Sequence, residues 1–186
     1  MIKELSVRPK PTNNNAKIIF YVSLAVSAIG AIAYLVLRAL GVEKSGLLGF
    51  IPLVGIIVTV FFYNKYISGT FSYDVTFDSE GYAIFVVRQT VGKRSSTLCR
   101  IGLSEIYSVK RESAEERRSH KTPTDHRRYV YLPTLIPDVS YRITTRSRYE
   151  RSEILIECSE EFAELLTSYA AEARELDKTR EDDEEY

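Results

Sequence analysis

The chain has 186 residues, with 25 Lys and Arg against 25 Asp and Glu, 45% hydrophobic residues, two Cys, two His and no Trp. That composition excludes a collagen-like or low-complexity chain and a disulfide scaffold, and leaves room for one modest core. The mean hydropathy of −0.14 is that of an ordinary soluble domain, but it averages an oily third and a charged remainder.

Residues 1–16 form a predicted cytoplasmic segment carrying Lys3, Arg8 and Lys10. Residues 18–40 are then almost wholly apolar, with Ser23, Ser27, Tyr34 and Arg38 among the few interruptions. As a helix that run is about 34 Å long, enough to cross a hydrocarbon core of about 30 Å. A second run, 46–67, has Thr59, Tyr63, Asn64 and Lys65 as its polar breaks, and the last three fall where an interface would lie. The linker at 41–45 is so short that 17–67 is predicted to be a tight antiparallel transmembrane hairpin. Too few residues remain outside the two runs to wrap both helices and bury a core of their own. A cleaved signal peptide fits less well, because the apolar run continues past the small residues Ala31 and Ala33 and a second span follows.

Lys3, Arg8, Lys10, Lys17 and Lys65 flank the outer ends, against Arg38 and Lys44 in the turn. This bias predicts a multi-pass protein of the plasma membrane with both termini cytoplasmic. Ser23, Ser27 and Ala31 recur every four residues, as do Gly55 and Thr59, marking close helix packing where lipid supplies no hydrophobic drive. Pro52 predicts a mild kink. Neither span carries an acidic or a central basic residue, which argues against an ion pathway.

After residue 67 the apolar residues alternate. Phe71, Tyr73, Val75 and Phe77 share one strand face, Asp78-Ser79-Glu80-Gly81 makes a turn, and 82–88 returns as a hairpin. Gly92-Lys93 is a second turn, and further strands are predicted around 97–101 and 103–111. Residues 112–126 lose all periodicity and predict a long exposed loop. Strands resume at 127–132, 139–146 and 153–158, with Pro133 and Pro137 bracketing one connection. The final helix opens on Ser159 as N-cap, with Phe162, Leu165, Leu166, Tyr169, Ala170, Ala173 and Leu176 on one face. The domain thus spans 68–177, and 178–186 is predicted to be an acidic, solvated tail.

Seven antiparallel strands forming a roll capped by a C-terminal helix resemble the pleckstrin-homology-like (PH-like) fold. Preceded by a membrane hairpin, with the strand-flanked segment Leu103-Ser104-Glu105-Ile106-Tyr107-Ser108-Val109, the chain is similar to the bacterial membrane-anchored PH-like proteins. The resemblance implies a two-helix transmembrane hairpin followed by an α+β PH-like domain. The first hairpin turn is acidic where phosphoinositide-binding PH domains present Lys and Arg. The core tryptophan of many eukaryotic members is missing, so Phe162 or Tyr169 would fill its volume.

No catalytic constellation is legible. His120 and His126 lie in a loop beside Arg117, Arg118, Lys121, Arg127 and Arg128, without nearby cysteines to complete a zinc site. Cys99 and Cys158 fall at inward strand positions and read as small buried apolar groups. No Gly-rich phosphate loop is present, and no cofactor is expected. Residues 88–151 carry fifteen bases against seven acids, while 153–186 carry thirteen acids against three bases. The expectation is a non-enzymatic interaction module that presents its domain to a protein or peptide, a homo-oligomer being left open. The alternative is that Arg88, Lys93, Arg94, Arg117, Arg118, Arg127 and Arg128 face anionic lipid headgroups. Nucleic acid is not an expected partner, because the domain as a whole is net acidic.

Overall fold

The computed structural model of the chain describes residues 2–41, 49–146 and 151–184. It divides into two compact units, one of residues 13–69 and one that joins residues 1–12 to 70–186.

In the first unit, α1 (Asn15–Ala39) and α2 (Phe50–Phe62), the latter extended by a π-helical stretch at Tyr63–Ile67, are long and apolar enough to cross a membrane. Almost nothing of either apolar stretch is buried within the unit, unlike the core helix of a soluble protein. The predicted turn and the start of the second span fall largely on residues 42–48, outside the described residues. The helices pack antiparallel. Ser23 Oγ lies 2.8 Å from Thr59 Oγ1, and Phe20 faces Tyr63 one turn away along the same seam. Pro52 stands in the first turn of α2, where its missing N–H removes no helix hydrogen bond, so it has no ladder to kink.

Among the described residues the second unit holds eight strands in two four-stranded sheets. The first sheet contains β1 (Leu5–Val7), β2 (Gly69–Phe77), β3 (Ala83–Val91) and β4 (Arg94–Gly102), in that order. The second contains β5 (Ile106–Ser113), β6 (His126–Tyr131), β7 (Val139–Arg146) and β8 (Arg151–Ile156), in the order β5-β7-β8-β6. The prediction of seven antiparallel strands is corrected twice. Residues 5–7 form an additional strand paired to β2, with Leu5 opposite Val75 and Val7 opposite Tyr73. β6 runs parallel to β8, because the connection that precedes β7 carries the chain past its neighbour instead of turning back in a hairpin. The strand expected at 103–111 begins with a 3-10 turn, Leu103–Glu105, in which Glu105 reaches back to the Gly102 N–H.

Phe71, Tyr73 and Val75 of β2, Phe85 and Val87 of β3, Ile143 of β7, and Ile154 and Ile156 of β8 meet in one core. The last helix, α4 (Glu160–Glu184), lays Phe162, Ala163, Leu166, Ala170 and Ala173 on that core. Phe162 is 2% exposed, with its ring 6.5 Å from that of Tyr73. Leu165 lies off the buried stripe, Leu176 continues that stripe one turn past Ala173, and both are exposed. α4 also continues past Asp177, where the sequence suggested a solvated tail. Its outer turns hold local contacts of the kind that sustain an exposed helix, with Lys178 Nζ 3.0 Å from Glu175 Oε1 and Thr179 Oγ1 donating to the Glu175 carbonyl.

Candidate functional site

The predicted exposed loop at 112–126 is mostly something else. Residues Ala114–Ser119 form a short helix, α3, opened by a capping box: Ser113 Oγ accepts the Glu116 N–H, and Glu116 Oε2 accepts the Ser113 N–H at 2.7 Å. That backbone bond, then the one with the Ser113 hydroxyl, holds the Glu116 carboxyl below its ordinary range. Ser-x-x-Glu is legible at 113–116, but a short polar helix carries no apolar period.

The segment from α3 to β7 covers the outer face of the second sheet, and this explains an unusual burial pattern. Strand alternation puts Glu112 of β5, Ser140 and Arg142 of β7, and Glu153 and Glu157 beyond Ile154 and Ile156 on that outer face. There a solvated polar row would be expected, yet Glu112, Ser140, Glu153 and Glu157 are all buried. Each finds partners in the covering segment or across the sheet. Glu153 accepts from His120 Nε2 at 3.0 and 3.1 Å and from Thr122 Oγ1 at 3.3 Å, and His126 Nδ1 stands 3.8 Å away. Arg142 Nη1 is 2.7 Å from His120 Nδ1, and its Nη2 pairs with Glu112. Glu157 accepts the Thr134 N–H at 3.1 Å and the Thr134 hydroxyl at 2.8 Å, while Thr134 Oγ1 accepts the Thr12 N–H at 2.9 Å.

The hydrogen bonds fix a tautomer. A guanidinium only donates, so His120 Nδ1 is the acceptor and Nε2 carries the proton that goes to Glu153. A relay of Glu112, Arg142, His120 and Glu153 therefore crosses three strands and ties the covering segment to them. Glu112 Oε2 and Arg142 Nε have no hydrogen-bond partner among the described residues, so the relay is only partly satisfied. The sequence placed both histidines in a loop and gave no sign of Glu153 beside them. Glu153 is 27 residues or more away along the chain, and only sheet pairing of β6 with β8 brings it near. Among the described residues no three of His, Cys, Asp and Glu are set to hold a metal ion.

The seven basic residues of the predicted anionic surface divide between the sheets. Arg88 on β3 pairs with the buried Asp74 at 3.4 Å, and Lys93 and Arg94 stand exposed at the β3–β4 turn. On the other sheet, Arg117 donates to Ser140 Oγ and to the Pro137 carbonyl, both at 2.6 Å, and so pins α3. Burial, then the charge of Arg128, lowers the Arg117 pKa from its ordinary value. Arg118, Arg127 and Arg128 are exposed beside it. Two of the seven thus have structural work in the fold.

Cys99 and Cys158 are free and half-buried against the core. Burial raises the Cys99 thiol pKa; burial, then the Glu157 charge, pushes Cys158 up to about 12.

In the helical unit, four of the five predicted packing residues meet at the seam. Ser27 is buried against Gly55: a Cβ at Gly55 would overlap Ser27 Oγ and lie 3.2 Å from Ser27 Cβ and 3.4 Å from the Ser23 carbonyl oxygen. Ser23 and Thr59 are hydrogen-bonded, and Ala31 is half-buried along the same helix face. Gly30 joins them, its missing Cβ making room for Ile51 and Pro52. The four-residue spacing that found Ser23, Ser27 and Ala31 passes over Gly30. The chain matches no protein-family model, no curated protein and no solved structure.

Proposed function

We propose that this chain is a non-enzymatic, membrane-anchored interaction module, in which α1 and α2 cross the bilayer as a hairpin and hold a PH-like domain at the cytoplasmic surface for a protein or peptide partner. One observation carries the reading. β1 precedes α1 and β2 follows the π-helical end of α2, yet the two are adjacent strands of one sheet. Both ends of the helix pair are therefore committed to one folded unit. Helices that leave from and return to the same sheet must do so on the same side of a bilayer. The excess of Lys3, Arg8, Lys10, Lys17 and Lys65 at those ends supports the cytoplasmic side.

The PH-like assignment is supported by two sheets on a common core, with a C-terminal helix that inserts Phe162. The parallel pairing of β6 with β8 and the added β1 depart from it. The module reading is favoured over headgroup binding because Arg117 is tied to Ser140 and Pro137 and Arg88 is paired with Asp74.

Cysteine accessibility tests the topology. With Cys99 and Cys158 replaced by Ala, single cysteines at Ser45 and Glu80 are challenged with a membrane-impermeant maleimide from either face of sealed vesicles. The two positions are expected to label from opposite faces. Labelling of both from the same face overturns the hairpin topology.

A further inference from the structure

At one end of the β domain a groove of about 650 Å³ runs between the β2–β3 turn, the 3-10 turn after β4 and the later turns of α4. Its apolar wall is core that the fold leaves uncovered. Phe77 continues the inward face of β2 set by Phe71, Tyr73 and Val75, yet it is 42% exposed. Leu176, one turn beyond the buried Ala173 of α4, is 52% exposed, and Tyr82 is 41% exposed beside them. Three large apolar side chains around one groove are more than scattered surface hydrophobes.

The rim is charged with a single sign. Asp78, Glu105, Glu172 and Asp177 all line the groove. Asp78 Oδ1 accepts the N–H groups of Glu80 and Tyr82, and Glu105 accepts that of Gly102. Those bonds fix the carboxylates in place without neutralising them. Arg100 pairs with Asp78 at 3.9 Å. The negative end of the α4 dipole lies beyond Asp177, in the same direction.

We infer that this groove docks a basic amphipathic peptide segment of a partner protein, with large apolar side chains against Phe77, Tyr82 and Leu176 and flanking Lys or Arg toward the rim. Charge complementarity decides the occupant. An acidic or anionic ligand would meet a rim of carboxylates, whereas a cationic segment gains from that rim and from the negative end of the α4 dipole. The inference rests on the interaction-module reading and names the partner's chemistry.

The test uses the full chain in zwitterionic lipid nanodiscs, empty nanodiscs as the blank, and a fluorescent peptide of about 12 residues in which Lys and Arg flank Leu and Phe anchors, long enough to cover about 18 Å as a helix. Saturable binding by anisotropy is expected. It should weaken at least about tenfold in Leu176→Ser and in the Glu172→Lys/Asp177→Lys double variant, and as salt rises. A peptide with the same anchors and Glu in place of Lys and Arg should not bind. Leu176 is exposed, so its substitution leaves the core intact; an unchanged unfolding profile confirms this for both variants. No saturable binding above the blank, or equal binding by the variants, overturns the inference. Photo-crosslinking from Leu176 and from Leu98, on exposed β4, in native membranes separates it from the module reading. Adducts from Leu98 alone overturn the groove and leave the module standing, and adducts from neither overturn both.

Discussion

Replacing Arg142 by Met isolates what the buried relay contributes. The change keeps an apolar stem of similar length on β7 but removes the guanidinium, leaving Glu112, whose side chain is 7% exposed, without its cation, and His120 Nδ1 without its donor. Breaking one partner of a buried pair costs about 3–5 kcal/mol. The Arg142 side chain retains 14% exposure and that of His120 24%, so water relieves part of the loss and about 2–4 kcal/mol is expected. For a cooperative unit of this size that lowers Tm by roughly 10 °C. A second substitution decides the mechanism. Arg142→Met/Glu112→Gln removes the stranded charge as well, and should recover at least about half of the loss, because the penalty comes from an uncompensated carboxylate and not from lost packing. Near-ultraviolet circular dichroism follows the unfolding through the 13 tyrosines, with no tryptophan to mask them. A single variant within about 0.5 kcal/mol of the parent, or a double variant no better than the single, refutes this account of the outer face.

Two further outcomes test other parts of the fold. Gly55→Ala should destabilise the helix pair by about 1–3 kcal/mol in detergent unfolding, since its Cβ overlaps Ser27 Oγ, and Ser27→Gly in the same chain should restore most of it; a neutral Gly55→Ala would mean the seam is not close-packed. Cys158, with its thiol pushed up to about 12, should react with iodoacetamide at pH 8 far more slowly than in the unfolded chain, by roughly two orders of magnitude after allowing for the greater nucleophilicity of a basic thiolate. Because the folded thiol titrates above its unfolded value of about 8.5, its contribution to stability is complete below that pH and is lost as pH rises toward 12. Equal rates in folded and unfolded chains would contradict the burial.

Long patterns were legible because they repeat within one element. The apolar length of α1 and α2, the alternation of Phe71, Tyr73 and Val75, and the stripe from Phe162 to Ala173 all follow from side chains that must share a face. The serines and Gly55 of the helix seam were readable for the same reason, since small residues four apart in apolar helices have few other uses.

Contacts between distant segments had no such signal. β1 is three residues long and pairs with a strand 66 or more positions later, so no local period announces it; its pairing also means that residues 68–186 alone are not the whole domain. The covering of the second sheet's outer face was equally hidden. Alternation correctly put Glu153 and Glu157 opposite the core side of β8, but it carries no information about what lies over that side. Burial of those carboxylates came from α3 and the connection after β6, whose residues are polar and aperiodic because they meet charged groups. The sequence alone thus determined an apolar helix pair and a β-rich domain closed by a helix. Only tertiary structure decided that His120 meets Glu153, that Arg88 pairs with Asp74 and Arg117 with Ser140, and that Phe77 and Leu176 are left exposed at the end of inward-facing rows, because each depends on which segments pack together.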